Sequence, residues 1–309
     1  MILVALAALA MMALLPASAA ADGLPAVGID ARPLSTPGGK VEYTTKRAGP
    51  DTLLVERARY GGPLRRRTLS GSLSIPAVAY DGSPSGLSAD GRTLVLISPR
   101  TRFPRRRTTF AIVDARRLTV RRLVHLKGDL SFDALSPVGR VMYLIQYSAR
   151  DFSNYAVRAY DLRARRLFPD PVVDPREAGE PMTGAPVTRV ASADGRWAYT
   201  LYDSSEHPFV HALDTARRTA VCIDLDAVRG MWGAKLQLSG RTLTVVGGRG
   251  RVLATIDTRT HRLVAAPEPA AEDAATSWLP IALPTAALLL LGAAVTRRRR
   301  LAAPDTRPA

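Results

Sequence analysis

One cysteine, Cys222, stands in 309 residues, so no disulfide framework can form within the chain. Histidines number four, His125, His207, His211 and His261, and aromatics make up 6%. Lysine is nearly absent: of 43 basic residues, only Lys40, Lys46, Lys127 and Lys235 are not arginine. Such an Arg/Ala bias is what a GC-rich coding sequence produces. There is no Gly-x-Ser-x-Gly elbow, no P-loop and no His-Glu-x-x-His. The hydrophobic content is 47% and the charged content 23%, with mean hydropathy near zero. This excludes wholesale disorder and a multi-span membrane protein. The charge is one-sided, at +16.

Long apolar runs occur only at the two ends. Residues 1–21 read MILVALAALAMMALLPASAAA. Ile2–Leu15 has the length of a signal-peptide h-region, Pro16 breaks it, and Ala17-Ser18-Ala19 or Ala19-Ala20-Ala21 fits small-x-small cleavage. No Lys or Arg precedes the run, which leaves the n-region charge to the free amine or to an upstream start. Near the other end, Trp278–Thr296 holds no charge and is followed by Arg297-Arg298-Arg299-Arg300. As a helix it spans about 28 Å, close to a hydrocarbon core. Trp278 sits where an interfacial aromatic belongs, and the arginines fix the C-terminus inside. The expected topology is single-pass, with the N-terminal domain extracytoplasmic and residues 297–309 a basic cytoplasmic tail. A sortase signal shares this layout, but Leu279-Pro280-Ile281-Ala282 and Leu283-Pro284-Thr285-Ala286 both lack the Thr-Gly bond that would be cut.

An Ala/Pro/acidic linker, 265–277, separates the span from a folded domain over 22–264. That domain repeats itself. Ser88-Ala89-Asp90-Gly91-Arg92, Ser136-Pro137-Val138-Gly139-Arg140, Ser192-Ala193-Asp194-Gly195-Arg196 and Ser239-Gly240-Arg241 each precede an apolar run, and Pro37-Gly38-Gly39-Lys40 is a weaker member. The glycines 39, 91, 139, 195 and 240 are 52, 48, 56 and 45 residues apart. A second signature follows in each unit: an apolar run closed by Asp114, Asp161, Asp214 or Asp257 and then an Arg-rich turn. The first unit keeps the shape without the Asp, in 54–62. Glycine between two β-rich runs supplies the positive φ of a hairpin turn, and Asp at a strand end folds back onto backbone N–H groups. Each unit therefore holds four short strands. In the third these are Phe132–Leu135, Val141–Tyr147, Ala156–Asp161 and Arg166–Val173. Four strands repeating at this period is the pattern of a β-propeller blade.

These paired signatures resemble the YVTN- and TolB-type bacterial relatives of the WD-repeat propellers, over essentially the whole domain. The Gly-His and Trp-Asp marks of true WD repeats are absent. The fold class is therefore all-β: a propeller of about five four-stranded blades, plus one C-terminal transmembrane helix. Val27–Leu34 would complete the last blade and close the ring. A β-sandwich is the alternative.

The chemistry-bearing residues are few. His207 and His211, beside Glu206, share one strand face about 13 Å apart, too far for one metal, and read as surface histidines. Gly247-Gly248-Arg249-Gly250 lies between two strands, so it reads as a hairpin and not a phosphate loop. The recurring aspartates read as turn residues, one per blade. Cys222, in a β run, reads as a small buried hydrophobe with no base near it. No catalytic, cofactor-binding or metal-ligating set is assigned, and no cofactor. Removing the five arginines and one aspartate beyond residue 296 leaves +12 on the exported domain. The a–b and c–d turns share one propeller face, which gathers Arg92, Arg140, Arg196 and Arg241 with Arg116-Arg117, Arg165-Arg166, Arg217-Arg218 and Arg262. Arg105-Arg106-Arg107 falls on the opposite face. The expected role is a membrane-anchored binding or scaffolding module whose partner is a protein or an anionic cell-envelope polymer. Nucleic acid is disfavoured by export and by the lack of interleaved aromatics. Related propellers include lactonases, lyases and quinoproteins, so the alternative is an enzyme with its site at the channel mouth, where Asp129, Asp133 and Glu206 are the candidates.

Overall fold

The computed structural model describes residues 31–265 apart from 149–153, 180–181, 205–206, 227 and 229–230. The signal-peptide segment, the linker beyond Ala265, the 278–296 span, the tail and Glu206 lie outside the described residues. Among those described, no helix is long and apolar enough to cross a membrane.

Five antiparallel sheets follow one another along the chain, each built from strands adjacent in sequence. The first comprises β1 (Leu34–Ser35), β2 (Val41–Ala48), β3 (Asp51–Ala58) and β4 (Pro63–Leu69). The second has β5 (Thr93–Ile97), β6 (Arg107–Asp114) and β7 (Thr119–Lys127). The third has β8 (Leu130–Leu135), β9 (Val141–Tyr147), β10 (Tyr155–Asp161) and β11 (Arg166–Leu167). The fourth has β12 (Ala185–Ala191), β13 (Trp197–Asp203), β14 (Phe209–Asp214) and β15 (Thr219–Asp224). The fifth has β16 (Lys235–Ser239), β17 (Thr242–Val246), β18 (Val252–Asp257) and β19 (Arg262–Ala265). This is the β-propeller the repeat implies. In the third blade β9 matches its expected bounds, β8 and β10 begin one or two residues earlier, and β11 is shorter.

Apolar side chains on both sheet faces hold neighbouring blades together. Leu54, Leu94 and Val113 pack between the first and second; Phe110, Phe132 and Leu144 between the second and third. Tyr143, Tyr202 and Leu213 pack between the third and fourth; Tyr199, Leu243 and Ile256 between the fourth and fifth. Each such fully buried side chain contributes about 2 kcal/mol of transfer free energy. Among the described residues no apolar cluster joins the fifth blade to the first. Burial along the strands agrees. β9 and β13 are buried on both faces, whereas β3 and β17 alternate, with one face buried and the other partly open. The open faces carry Thr44, Lys46 and Arg57 on one side, and Gln237, Thr242 and Thr244 on the other. Among the described residues the blades therefore form an arc, with Leu53 and Val55 lying among the polar side chains of the first blade's open face.

Two expectations are corrected here. Leu34 pairs with Tyr43 inside the first blade, not with the last, which completes four strands from its own residues. The second blade has three regular strands because its inner strand is interrupted. Ser74 bridges Ile97, the chain then leaves as a hairpin, and Leu87 returns to bridge Leu94. The tip of that hairpin crosses to the fourth blade, where Tyr80 N–H donates to Pro186 O (2.8 Å) and Asp81 N–H to Val187 O (3.2 Å). It occupies the axis around which the blades turn.

Candidate functional site

The two ends of the propeller are built differently. At one end lie the a–b and c–d turns, which are copies of two designs. In the a–b turns Thr36, Ser88, Ser136 and Ser192 each donate their backbone N–H to the carbonyl of the residue five positions on. Each hydroxyl also accepts from that residue's N–H, at 3.3, 3.0, 2.9 and 2.8 Å. The glycine three positions on donates its N–H back to the Ser or Thr carbonyl and holds φ between +65° and +71°. In the c–d turns the carboxylates of Asp114, Asp161, Asp214 and Asp257 accept from the N–H groups two and three residues ahead. The residue four ahead is left-handed in every case: Leu118, Arg165, Arg218 and His261, φ +54° to +61°. The aspartates are thus turn residues, as their one-per-blade recurrence implies. These backbone donors hold the carboxyls below the usual carboxylate range, with the facing guanidinium the largest single lowering influence on Asp114 and Asp214.

With the acids consumed in turns, the arginines of this end are left over. Arg92, Arg116, Arg117, Arg140, Arg163, Arg165, Arg166, Arg217, Arg259 and Arg262 are exposed. Arg121, Arg196 and Arg241 pair with the turn aspartates. None of the ten exposed arginines forms an ion pair among the described residues. The opposite end has connections of unequal length, 98–106, 168–184 and 225–234 among them. Its arginine cluster is smaller than the sequence suggests, because Arg105 is buried.

The acids proposed for a channel-mouth site are already neutralised. The Asp129 carboxylate, 3% exposed, is gripped by the fully buried Arg100 and accepts from Arg105 N–H at 2.9 Å. The Arg100 guanidinium stands over both the Phe103 and Tyr147 rings, 5.5 and 5.1 Å from their centroids. Burial and the neighbouring Arg100 pull the Arg105 guanidinium down to about 10. Asp133 is ion-paired with Arg189 of the next blade, which also donates to Asp133 O (3.0 Å) and Thr200 Oγ1 (2.5 Å). Both aspartates therefore join blades. Glu206 is outside the described residues.

The axis holds a hub that sequence reading missed. Asp81, at the hairpin tip, accepts from Ser83 N–H (2.9 Å), Thr188 Oγ1 (2.9 Å), Lys235 Nζ (2.9 Å) and Arg32 Nη2 (3.3 Å). These partners outweigh burial and hold its carboxyl below the ordinary range. Arg32 precedes the first blade and Lys235 opens the last, so Asp81 ties the ends of the arc at its centre. The 52-residue gap between Gly39 and Gly91 and the turn residues Asp81-Gly82 were the available signals. Beside the hub, an axial cavity of about 270 Å³ is lined by Ser35, Thr36, Ser85, Leu135, Arg189 and Ser192, and by no residue of the fifth blade.

His207 is exposed, with Nδ1 3.2 Å from Asp226. His211 is not the surface residue expected. It is 1% exposed on β14, turned toward the third blade, and burial pushes its imidazole down to about 4. Cys222 is only half-buried, and carboxylates stand beside it: Asp174, Glu177 and Cys222 bring their ligand atoms within 4.8 Å of one another. Burial and the adjacent Glu177 carboxylate push the thiol up, which favours its protonated form. Residues 247–251 connect β17 to β18, as a hairpin.

No protein-family model matches the chain. No curated protein matches its sequence. Similar solved structures include named propeller domains. The Cps50 (Swd1) β-propeller domain of Myceliophteria thermophila is 13% identical with a TM-score of 0.43, covering 74% of this chain and 65% of that one. TolB of Acinetobacter baumannii is 16% identical at a TM-score of 0.43, covering 72% and 51%. Hydrazine synthase of Kuenenia stuttgartiensis is 14% identical at 0.42, covering 79% and 80%. The chain spans less than two thirds of the first and about half of the second.

Proposed function

We propose that this chain is a membrane-anchored extracytoplasmic propeller that binds an anionic cell-envelope polymer on its a–b/c–d turn face. The observation that carries this reading is the arginine excess there: the second to fifth blades each carry exposed guanidinium groups in these turns, while the matching aspartates are spent on backbone N–H groups. Arginine presents a planar fork that suits phosphate and carboxylate, and repetition around an arc suits a polymer with repeated charges. Anchoring by 278–296 with residues 22–264 outside follows from the apolar ends and the tetra-arginine flank. A protein partner with an acidic surface would use the same face.

The test is binding of the full chain in detergent to a polyglycerol-phosphate polymer at increasing salt. Affinity is expected to fall steeply, because exposed charges are screened over a Debye length of about 10 Å at 0.1 M. Replacing Arg117, Arg166 and Arg217 by Gln is expected to weaken it further. Binding indifferent to salt and to these substitutions sinks the charge reading. Protease shaving of intact cells is expected to remove the bulk of the chain; protection of 22–264 refutes the topology.

A further inference from the structure

At the outer rim of the seam between the third and fourth blades, the surroundings of Cys222 run against the basic character of the domain. Asp174 and Glu177, on the crossover from β11 to β12, reach over β15 so that their carboxylate oxygens and Cys222 Sγ lie within 4.8 Å of one another. The backbone of Cys222 faces outward: its N–H donates to Asp174 Oδ2 at 2.9 Å and its carbonyl accepts from Arg176 Nη2 at 2.8 Å. Cys222 is therefore a non-hydrogen-bonded partner of the residue opposite it on β14, the arrangement that brings side chains closest. That residue is His211. Its side chain leaves the same sheet face as the thiol, is 1% exposed, and its Nε2 has no hydrogen-bond partner among the described residues. A soft thiol and two carboxylates within reach of one another are donor types that a thiophilic divalent cation takes, and the imidazole stands on the thiol's sheet face.

We propose that Cys222, Asp174 and Glu177, with His211 behind them, form a binding site for a divalent cation of the zinc type. On binding, the Cys222 S–H bond breaks, its proton passes to solvent, and the thiolate pair forms the bond to the ion. One group must yield: Arg176 now forks onto Asp174, with Nη2 2.6 Å and Nε 3.1 Å from the carboxylate. Its side chain is 66% exposed and can swing into water. Arg176 acts as the charge that occupies Asp174 when no cation does.

The experiment titrates the full chain in detergent with Co²⁺ and follows the near-ultraviolet thiolate-to-cobalt charge-transfer band and the visible bands. One equivalent is expected to produce the band, release a proton and give visible bands of four-coordinate intensity. Zn²⁺ is expected to abolish the band by displacement and to shield Cys222 from maleimide. Cys222→Ser is expected to remove the band, Glu177→Gln to weaken binding at least ten-fold, and Arg176→Ala to strengthen it. Cys222 and Glu177 are half-buried, so both variants are expected to keep the wild-type melting temperature. No band, a band that survives Cys222→Ser, six-coordinate spectra, or an Arg176→Ala chain that binds no better overturns the proposal.

Discussion

A single backbone conformation recurs in every c–d turn from the second blade on, and it constrains one residue in each. Arg165 is held at φ +61°, where a side chain costs about 1–2 kcal/mol relative to the right-handed region. Its position is exposed, and its N–H donates to Asp161 O whichever residue stands there. Arg165→Gly is therefore expected to stabilise the chain by up to about 1 kcal/mol, part of the relief being offset by the freer unfolded chain. A thermal melt that shows no rise, or a fall, contradicts this. Arg218 shares the conformation, but its guanidinium lies 4.0 Å from the centroid of Phe168, so the same change there would lose a contact. The turn aspartates were legible because each acts within its own loop. The arginine at the left-handed position was not, since arginine carries no preference for it and only the chain closure imposes it.

At the scale of elements, the a–b turns do more than reverse the chain. They pack on one another near the axis. A Cβ at Gly195 would lie 2.7 Å from Ala89 Cβ, and one at Gly139 would lie 2.8 Å from Thr93 Cβ, both in the second blade. Gly91 has a similar positive φ but open space around it. Gly91→Ala is expected to pay for backbone strain alone, and Gly195→Ala for strain plus the clash, exceeding it by about 1–3 kcal/mol. Equal denaturation midpoints for the two variants would show that the blades do not meet at these turns. The repeat exposed the glycines and their turn type. It could not rank them, because which glycine is crowded depends on the neighbouring blade. The interrupted inner strand of the second blade was equally hidden: its two pieces, at Ser74 and Leu87, each bridge β5, and neither reads as a strand alone.

At the scale of the whole propeller, the described residues are tied at the centre. Asp81 gathers Arg32, Thr188 and Lys235, from before the first blade, from the fourth and from the fifth, while among the described residues no apolar layer bridges first and last. Asp81→Asn is expected to cost about 2 kcal/mol, the scale of hydrogen bonds to a charged group. The pH dependence has a definite sign. The folded carboxyl is held below its unfolded value, so its contribution is fully present above the unfolded value near 3.9 and is lost as pH falls through the lower folded value. Wild type and Asp81→Asn are expected to differ at neutral pH and to converge in acid, measured as urea midpoints across pH. A constant gap down to the most acid pH would remove Asp81 from the role of central tie.

Sequence by itself determined what depends on short range: the number of blades, the two turn designs, the aspartate roles and the arginine-rich end. Each is fixed by residues a few positions apart, and repetition makes each visible several times. Tertiary structure alone decided what depends on distant partners. Asp129 and Asp133 became buried ties because Arg100 and Arg189 arrive from other elements, His211 became a core residue because the third blade covers it, and Cys222 gained carboxylate neighbours from a crossover some fifty residues upstream. Periodicity reports which face a side chain takes; it does not report what the next blade brings to that face.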